Sequence, residues 1–184
     1  IVFILFLFVV ESSNGQGHWL MGPTVGPHYS SSYIEHTIYR VNLLSRPIKG
    51  LHGGLMFQYF PDIYKGSLKT GLRMSINFTE KGWDQEYLDT LKTLQTVRTK
   101  MDYLNIPVES IFYVGSQKSK AYLLLGIYVD FLLRYDVPKD PQDKSEKTDF
   151  WTFDPQRDKS FAYGGKCGLG YQRKMGFGQL SLEA

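Results

Sequence analysis

Residues 67–78 read S-L-K-T-G-L-R-M-S-I-N-F, and no other stretch limits the fold as much. Successive side chains of a strand point to opposite sides. Leu68, Leu72, Met74, Ile76 and Phe78 therefore share one face, with Thr70 among them. Ser67, Lys69, Gly71, Arg73, Ser75 and Asn77 share the other. A helix would scatter these residues around its circumference, so the period of two predicts a strand with one greasy and one polar face. The pattern recurs at 51–60, 101–114, 121–135, 161–172 and 177–184. A weaker copy at 18–29 is interrupted by Pro23 and Pro27. Along 121–135, Leu123, Leu125, Ile127, Val129, Phe131 and Leu133 oppose Tyr122, Gly126, Tyr128, Asp130 and Arg134.

The connections carry the topology. Short, polar turns are predicted at 61–66, 115–120 and 173–176, and long loops at 30–50, 79–100 and 136–160. Short turns alternating with long loops characterise barrels of the outer membrane, whose apolar face meets lipid and whose polar face lines the lumen. The expected fold is thus all-β, an antiparallel up-and-down transmembrane β-barrel in the outer membrane of a Gram-negative-type envelope. About seven strands can be counted, and such barrels have an even number, at least eight. Residues 16–184 therefore read as a barrel domain cut short at its C-terminal end. Within the second long loop, Tyr87, Leu88, Leu91, Leu94 and Val97 recur every three or four residues. That spacing predicts a short amphipathic helix within 84–100.

Residues 1–10 are uniformly apolar and are followed by Glu-Ser-Ser-Asn-Gly. A membrane-spanning helix needs about 20 apolar residues. Ten, followed by small residues, match the apolar region of a signal peptide with cleavage after Gly15. Without an initiator methionine or a basic segment before it, 1–15 reads as an incomplete signal peptide. The 18 glycines, 13 tyrosines and 12 phenylalanines suit a barrel, where glycine relieves crowding and aromatics sit at membrane interfaces. A net charge of +3 is too mild for a nucleic-acid partner. The single Cys167 excludes an intrachain disulfide and a zinc site of several cysteines.

The inward face carries Lys69, Arg73, Glu109, Asp130, Lys166 and Glu183, three charges of each sign. Eight strands leave a lumen just wide enough for side chains to fill. Unpaired buried charge is costly, so these six are expected to pair as a structural plug, with Arg134 at the outer rim, the alternative being a conducting pore or a site. Pro107 cannot donate to a ladder and marks a bulge or a break in pairing. Aromatics near strand ends predict two girdles. Tyr59, Phe60, Tyr64, Phe112, Tyr113, Tyr122, Tyr171 and Phe177 lie by the short turns, and Phe78, Trp83, Tyr135 and Phe161 by the loops. Arg40, Arg46 and Lys49 form a solvated or lipopolysaccharide-facing patch.

His18, His28, His36 and His52 are scattered, without HExxH or paired ligand spacing. No catalytic group, metal site or cofactor is read from the sequence, and the chain is expected not to be an enzyme. His52, predicted inward, is the residue with which a search for catalysis would begin. Its plainer reading is a luminal polar group.

Ordered segments carry a family resemblance. They are Glu80-Lys81-Gly82-Trp83, Tyr103-Leu104-Asn105-Ile106-Pro107-Val108, Tyr122-Leu123-Leu124-Leu125-Gly126, the glycine-rich run 163–171, and 180–184. In this order they resemble the PorT-like family of small outer-membrane β-barrel proteins, over roughly 50–184. The resemblance implies an eight-stranded barrel. The family's namesake is associated with secretion and surface translocation, a role that fold-level kinship alone does not carry over. The expected role is that of a non-enzymatic scaffold, adhesion or accessory element. The chain departs from the family pattern in lacking the final strand and its terminal aromatic. Expected partners are outer-membrane lipid, lipopolysaccharide and other envelope or secretion proteins. The competing reading is a secreted soluble barrel of lipocalin type. It would place Lys69 and Arg73 in water and the leucines around an apolar ligand.

Overall fold

The computed structural model describes residues 12–14, 17–32, 45–61, 68–88, 94–116, 118–136, 159–176 and 178–184. Its strands are β1 (Ser12–Asn14), β2 (Gly17–Ser30), β3 (Ser45–Pro61), β4 (Leu68–Leu88), β5 (Leu94–Gly115), β6 (Ser119–Asp136), β7 (Phe161–Met175) and β8 (Gly178–Glu183). Each pairs antiparallel with its sequence neighbours in one sheet. Seven of the eight correspond to the seven expected strands; β1 is a three-residue addition. The sheet curls far enough for Arg73 on β4 to reach Glu183 on β8. Among the described residues no ladder joins β8 to β1 or β2.

The apolar face points outward. Leu72, Met74, Ile76 and Phe78 on β4 are exposed, as are Leu123, Leu125, Ile127 and Phe131 on β6, Ile127 at 66%. Between them on β4, Arg73, Ser75 and Asn77 are buried. This corrects the lipocalin alternative, since a soluble ligand carrier would bury the leucines and wet Arg73.

Of the short connections, the one expected at 115–120 falls between Gly115 and Ser119, and the one expected at 173–176 comes later because β7 runs on to Met175. The one expected at 61–66 lies outside the described residues from 62 on. At 115–119, Gly115 takes a φ of +137°, a conformation costly for any residue with a Cβ. Ser116 then closes the turn. Its amide donates to the Ser119 carbonyl at 2.8 Å, and its Oγ accepts from the amides of Lys118 and Ser119 at 3.3 Å. Pro23 and Pro27 are tolerated because, among the described residues, β2 beyond Trp19 pairs on one side only, with β3. Beside Pro107, the β4–β5 ladder skips 75–76 and 106–107 and resumes in the same register, so the proline marks a break and not a bulge. The bulges lie elsewhere, between Pro47 and His52 on β3 and at Leu133 on β6, opposite Asp102 and Tyr103.

Two expectations fail. The segment 79–100 is not a long loop, and 84–100 holds no helix in its described part. β4 runs on to Leu88 and β5 starts at Leu94, paired down to Leu88 with Leu94. The 30–50 loop also shrinks, because β3 begins at Ser45. The 136–160 loop lies outside the described residues between Asp136 and Lys159, as do Arg40, Tyr64 and Phe177. The expected signal peptide lies outside them too, except that Ser12–Asn14 pair with β2.

Candidate functional site

Register places the interior side chains in rows that run across the strands. One row is Gln58–Arg73–Glu109–Gly126–Lys166. A Cβ at Gly126 would lie 2.9 Å from Glu109 Cγ. The missing side chain leaves room for Lys166 Nζ to reach over and meet Glu109 Oε1 at 3.0 Å. On the other side Arg73 Nε stands 3.5 Å from Glu109 Oε2. The Arg73 guanidinium also forks onto Glu183, with Nη1 facing Oε1 and Nη2 donating to Oε2 at 2.9 Å. Tyr122 completes the group by donating its hydroxyl to Glu183 Oε1 at 2.7 Å. Arg73 and Glu109 are 4% and 0% exposed. Such burial is tolerable only because each charge meets an opposite one.

A second row, Thr24–Gly54–Asn77–Asn105–Asp130, lies nearer the loops. Gly54 again leaves the gap, across which Thr24 Oγ1 donates to Asn77 Oδ1 at 2.9 Å. Asn105 Nδ2 donates to Asp130 Oδ1 at 2.7 Å, and Lys81 Nζ pairs with Asp130 Oδ2. Lys81 also stands over the rings of Tyr103 and Tyr128, 5.5 and 5.0 Å from their centroids, a cation–π arrangement.

Of the six expected luminal charges, Arg73, Glu109, Lys166 and Glu183 form one network. Asp130 is inward but belongs to the Lys81 cluster, not to Arg73. Lys69 is a correction. It is exposed near the short-turn end of β4, where water reaches the ammonium and no carboxylate is needed. Arg134 is likewise exposed, and the bulge at Leu133 pairs it with Asp102 on the outer face. Lys81 was missed, because 79–100 looked like a loop. Its only sequence signal is a continued alternation, Thr79–Lys81–Trp83–Gln85, without hydrophobic contrast.

The girdles need a similar correction. Phe60, Tyr113 and Tyr122 point inward and pack with Leu20, Ile111 and Leu124 as a buried cluster at the short-turn end. Trp83 is buried as well. The outer aromatics by the short turns are Trp19, Tyr59, Phe112 and Tyr171. Those by the loops are Tyr29, Phe78, Phe131, Phe161 and Tyr163. Phe78, Leu104, Phe131 and Phe161 form one lateral row, with Phe131 and Phe161 centroids 5.7 Å apart.

On the loop side of the Arg73 row is a cavity of about 690 Å3, lined by Thr24, His28, His52, Ser75, Asn77 and Lys81 among others. The Arg73, Lys166 and Glu183 side chains lie on its floor. Beneath them is the buried aromatic cluster.

An apolar outer face, a polar and charge-paired interior and an antiparallel meander are the arrangement of an outer-membrane barrel. The family model described as "Outer membrane protein beta-barrel domain" matches residues 12–184. The chain belongs to this family. The match makes the protein an integral component of the outer membrane and covers every strand from β1 to β8. No curated protein matches the chain, and no solved structure does.

Proposed function

We propose that this outer-membrane barrel is a non-enzymatic, non-conducting element that acts as a scaffold or accessory in surface transport or secretion. The observation that carries the reading is the layered filling of the lumen. The Arg73–Glu109–Lys166–Glu183 layer, tied to Tyr122, stands directly above a buried apolar cluster. Side chains that fill and neutralise the lumen supply stability and narrow a water path along the axis. A protein that neither conducts nor catalyses presents its surfaces instead. The surface of interest is the β4–β5 hairpin, which rises beyond the apolar ring. The PorT-like kinship proposed from the ordered segments points the same way, with outer-membrane lipid, lipopolysaccharide and envelope or secretion proteins as partners. Two measurements test the reading. Recordings of the folded protein in planar bilayers should show no steady conductance. A strain lacking the gene should lose proteins from its surface or secreted fraction. Regular channel events, or an unchanged surface proteome, would overturn it.

A further inference from the structure

We propose that His28 and His52 form a two-imidazole site in the lumen for a late first-row divalent cation, Cu2+ foremost, with Ni2+ and Zn2+ behind it. The register opposes Gly26 to His52 and Gly50 to His28 on adjacent antiparallel strands. The two histidines are thus diagonal neighbours on the inward face. Each ring lies over the glycine opposite it. A Cβ at Gly26 would come within 2.8 Å of His52 Cε1, and one at Gly50 within 2.7 Å of His28 Cε1. Two reciprocal glycine slots therefore seat two imidazoles, and any side chain in either slot would displace a ring.

The seated rings are tilted neighbours, with centroids 6.1 Å apart and planes inclined at 57°. A metal bonded to one nitrogen of each imidazole at about 2.0–2.1 Å holds the centroids roughly 5–6 Å apart. The observed spacing is therefore within a small side-chain adjustment of chelation. Both ring nitrogens of His28 are shielded from water and make no well-formed hydrogen bond. The Glu80 backbone is the polar group beside the ring. A carbonyl in that place can take the proton of one ring nitrogen and so present the other as a lone pair, a common support for ligating histidines. Unpartnered buried nitrogen is costly, and coordination would remove that cost.

Both histidines line the 690 Å3 cavity. Lys81, Lys166 and Arg73, the cations that share it, each face a carboxylate, so a dication would meet little uncompensated positive charge. No cluster of three or more His, Cys, Asp or Glu is present among the described residues. The chain therefore supplies two donors, and water or an incoming ligand fills the remaining positions on the cavity side. Imidazole donors without carboxylates select Cu2+, Ni2+ and Zn2+ over Mg2+ and Ca2+.

The test is a Cu2+ titration of the untagged full chain folded in detergent micelles, read by electron paramagnetic resonance and by thermal unfolding. One Cu2+ per chain is expected, with hyperfine coupling to two imidazole nitrogens and a rise in the unfolding temperature. His28→Gln and His52→Gln should each weaken binding by at least the roughly tenfold that losing even a supporting partner costs. His18→Gln, at the other end of β2, should leave it unchanged. Should either glutamine variant fail to fold, the wild-type spectrum decides alone. Coupling to one nitrogen or none, or affinity unchanged in a folded variant, overturns the site. The same holds for binding of equal strength in the urea-unfolded chain.

Discussion

Along β4 the outward residues from 72 to 78 are Leu72, Met74, Ile76 and Phe78; from 80 to 86 they are Glu80, Gly82, Asp84 and Glu86. Strand β5 mirrors this change. Val114, Phe112, Val108, Ile106 and Leu104 give way to Asp102, Lys100, Arg98 and Thr96. The backbone ladder is the same in both halves of the hairpin, and only the surroundings of its outer face differ. A strand of 21 residues is about twice the 9–11 that a tilted strand needs to cross a bilayer. The half at 80–88 and 94–102 therefore stands in water. Adhesion between its strands comes from cross-strand partners such as Asp84 with Arg98, bonded through Nε at 2.7 Å and Nη2 at 2.8 Å. Arg46 on β3 adds a bond to Glu86 at 3.0 Å. In the membrane half the inside is polar and bound tightly, while the outside is free of charge. In the aqueous half charges stand on the outside too, although Lys81 still faces in to Asp130.

This contrast predicts an order of mutational costs. Arg73→Leu should be the most damaging, since it leaves Glu109 and Glu183 without their shared cation inside the ring. Breaking a buried pair in this way costs about 3–5 kcal/mol, readable as a lowered urea midpoint in micelles. Next comes Ile76→Arg, which turns a guanidinium towards lipid at a cost of about 2–4 kcal/mol near the midplane. Arginine at Thr96, outward on the aqueous half of the same hairpin, should leave the midpoint unchanged. Equal effects at 76 and 96 would mean that the apolar ring does not end at Phe78. Asp84→Asn should produce only a small shift, since exposed ion pairs are weak.

The smallest effect is pH dependence of the aqueous half. The hydrogen bond from Arg98 holds the Asp84 carboxyl below its ordinary value of 3.8. A depressed folded value means that the carboxylate binds protons less readily folded than unfolded. Its contribution is therefore complete above the ordinary value and is lost as pH falls through the depressed one. Amide exchange at 84–98 should thus accelerate only at acid pH, and less so in high salt, which screens exposed charge. Acceleration already at neutral pH would show that Asp84 is not what holds the hairpin together.

How much of this was legible follows from the same physics. Inside the bilayer, direction and hydropathy alternate together, so 67–78 and 121–135 announce their strands and their lumen-facing sides. Arg73, Glu109, Asp130, Lys166 and Glu183 were placed inward on that basis. Beyond Phe78 direction still alternates, but both faces are polar, and the hydropathy signal vanishes although the strand continues. Lys81 was lost for that reason, and the spacing of Tyr87, Leu88, Leu91, Leu94 and Val97 gave a false helical signal. The partner of each charge was not legible either. Arg73 lies with Glu109 by local register, but its fork onto Glu183 spans 110 residues and depends on how far the sheet curls. Phe60, Tyr113 and Tyr122 sit near strand ends like interface aromatics. Only their parity within each strand shows that they fill the lumen.

The bond between Arg73 and Glu183 also orders events in time. β4 can hairpin with β5 as soon as both have emerged, but Glu183 belongs to β8. Contacts of such long sequence separation form late, because loop-closure entropy must be met before they contribute. Until β8 docks, Arg73 has Glu109 alone, and Tyr122 has no carboxylate to receive its hydroxyl. A sheet assembled only as far as β7 thus leaves Arg73 and Tyr122 short of a partner that β8 supplies, so the docking of β8 is coupled to charge pairing inside the lumen.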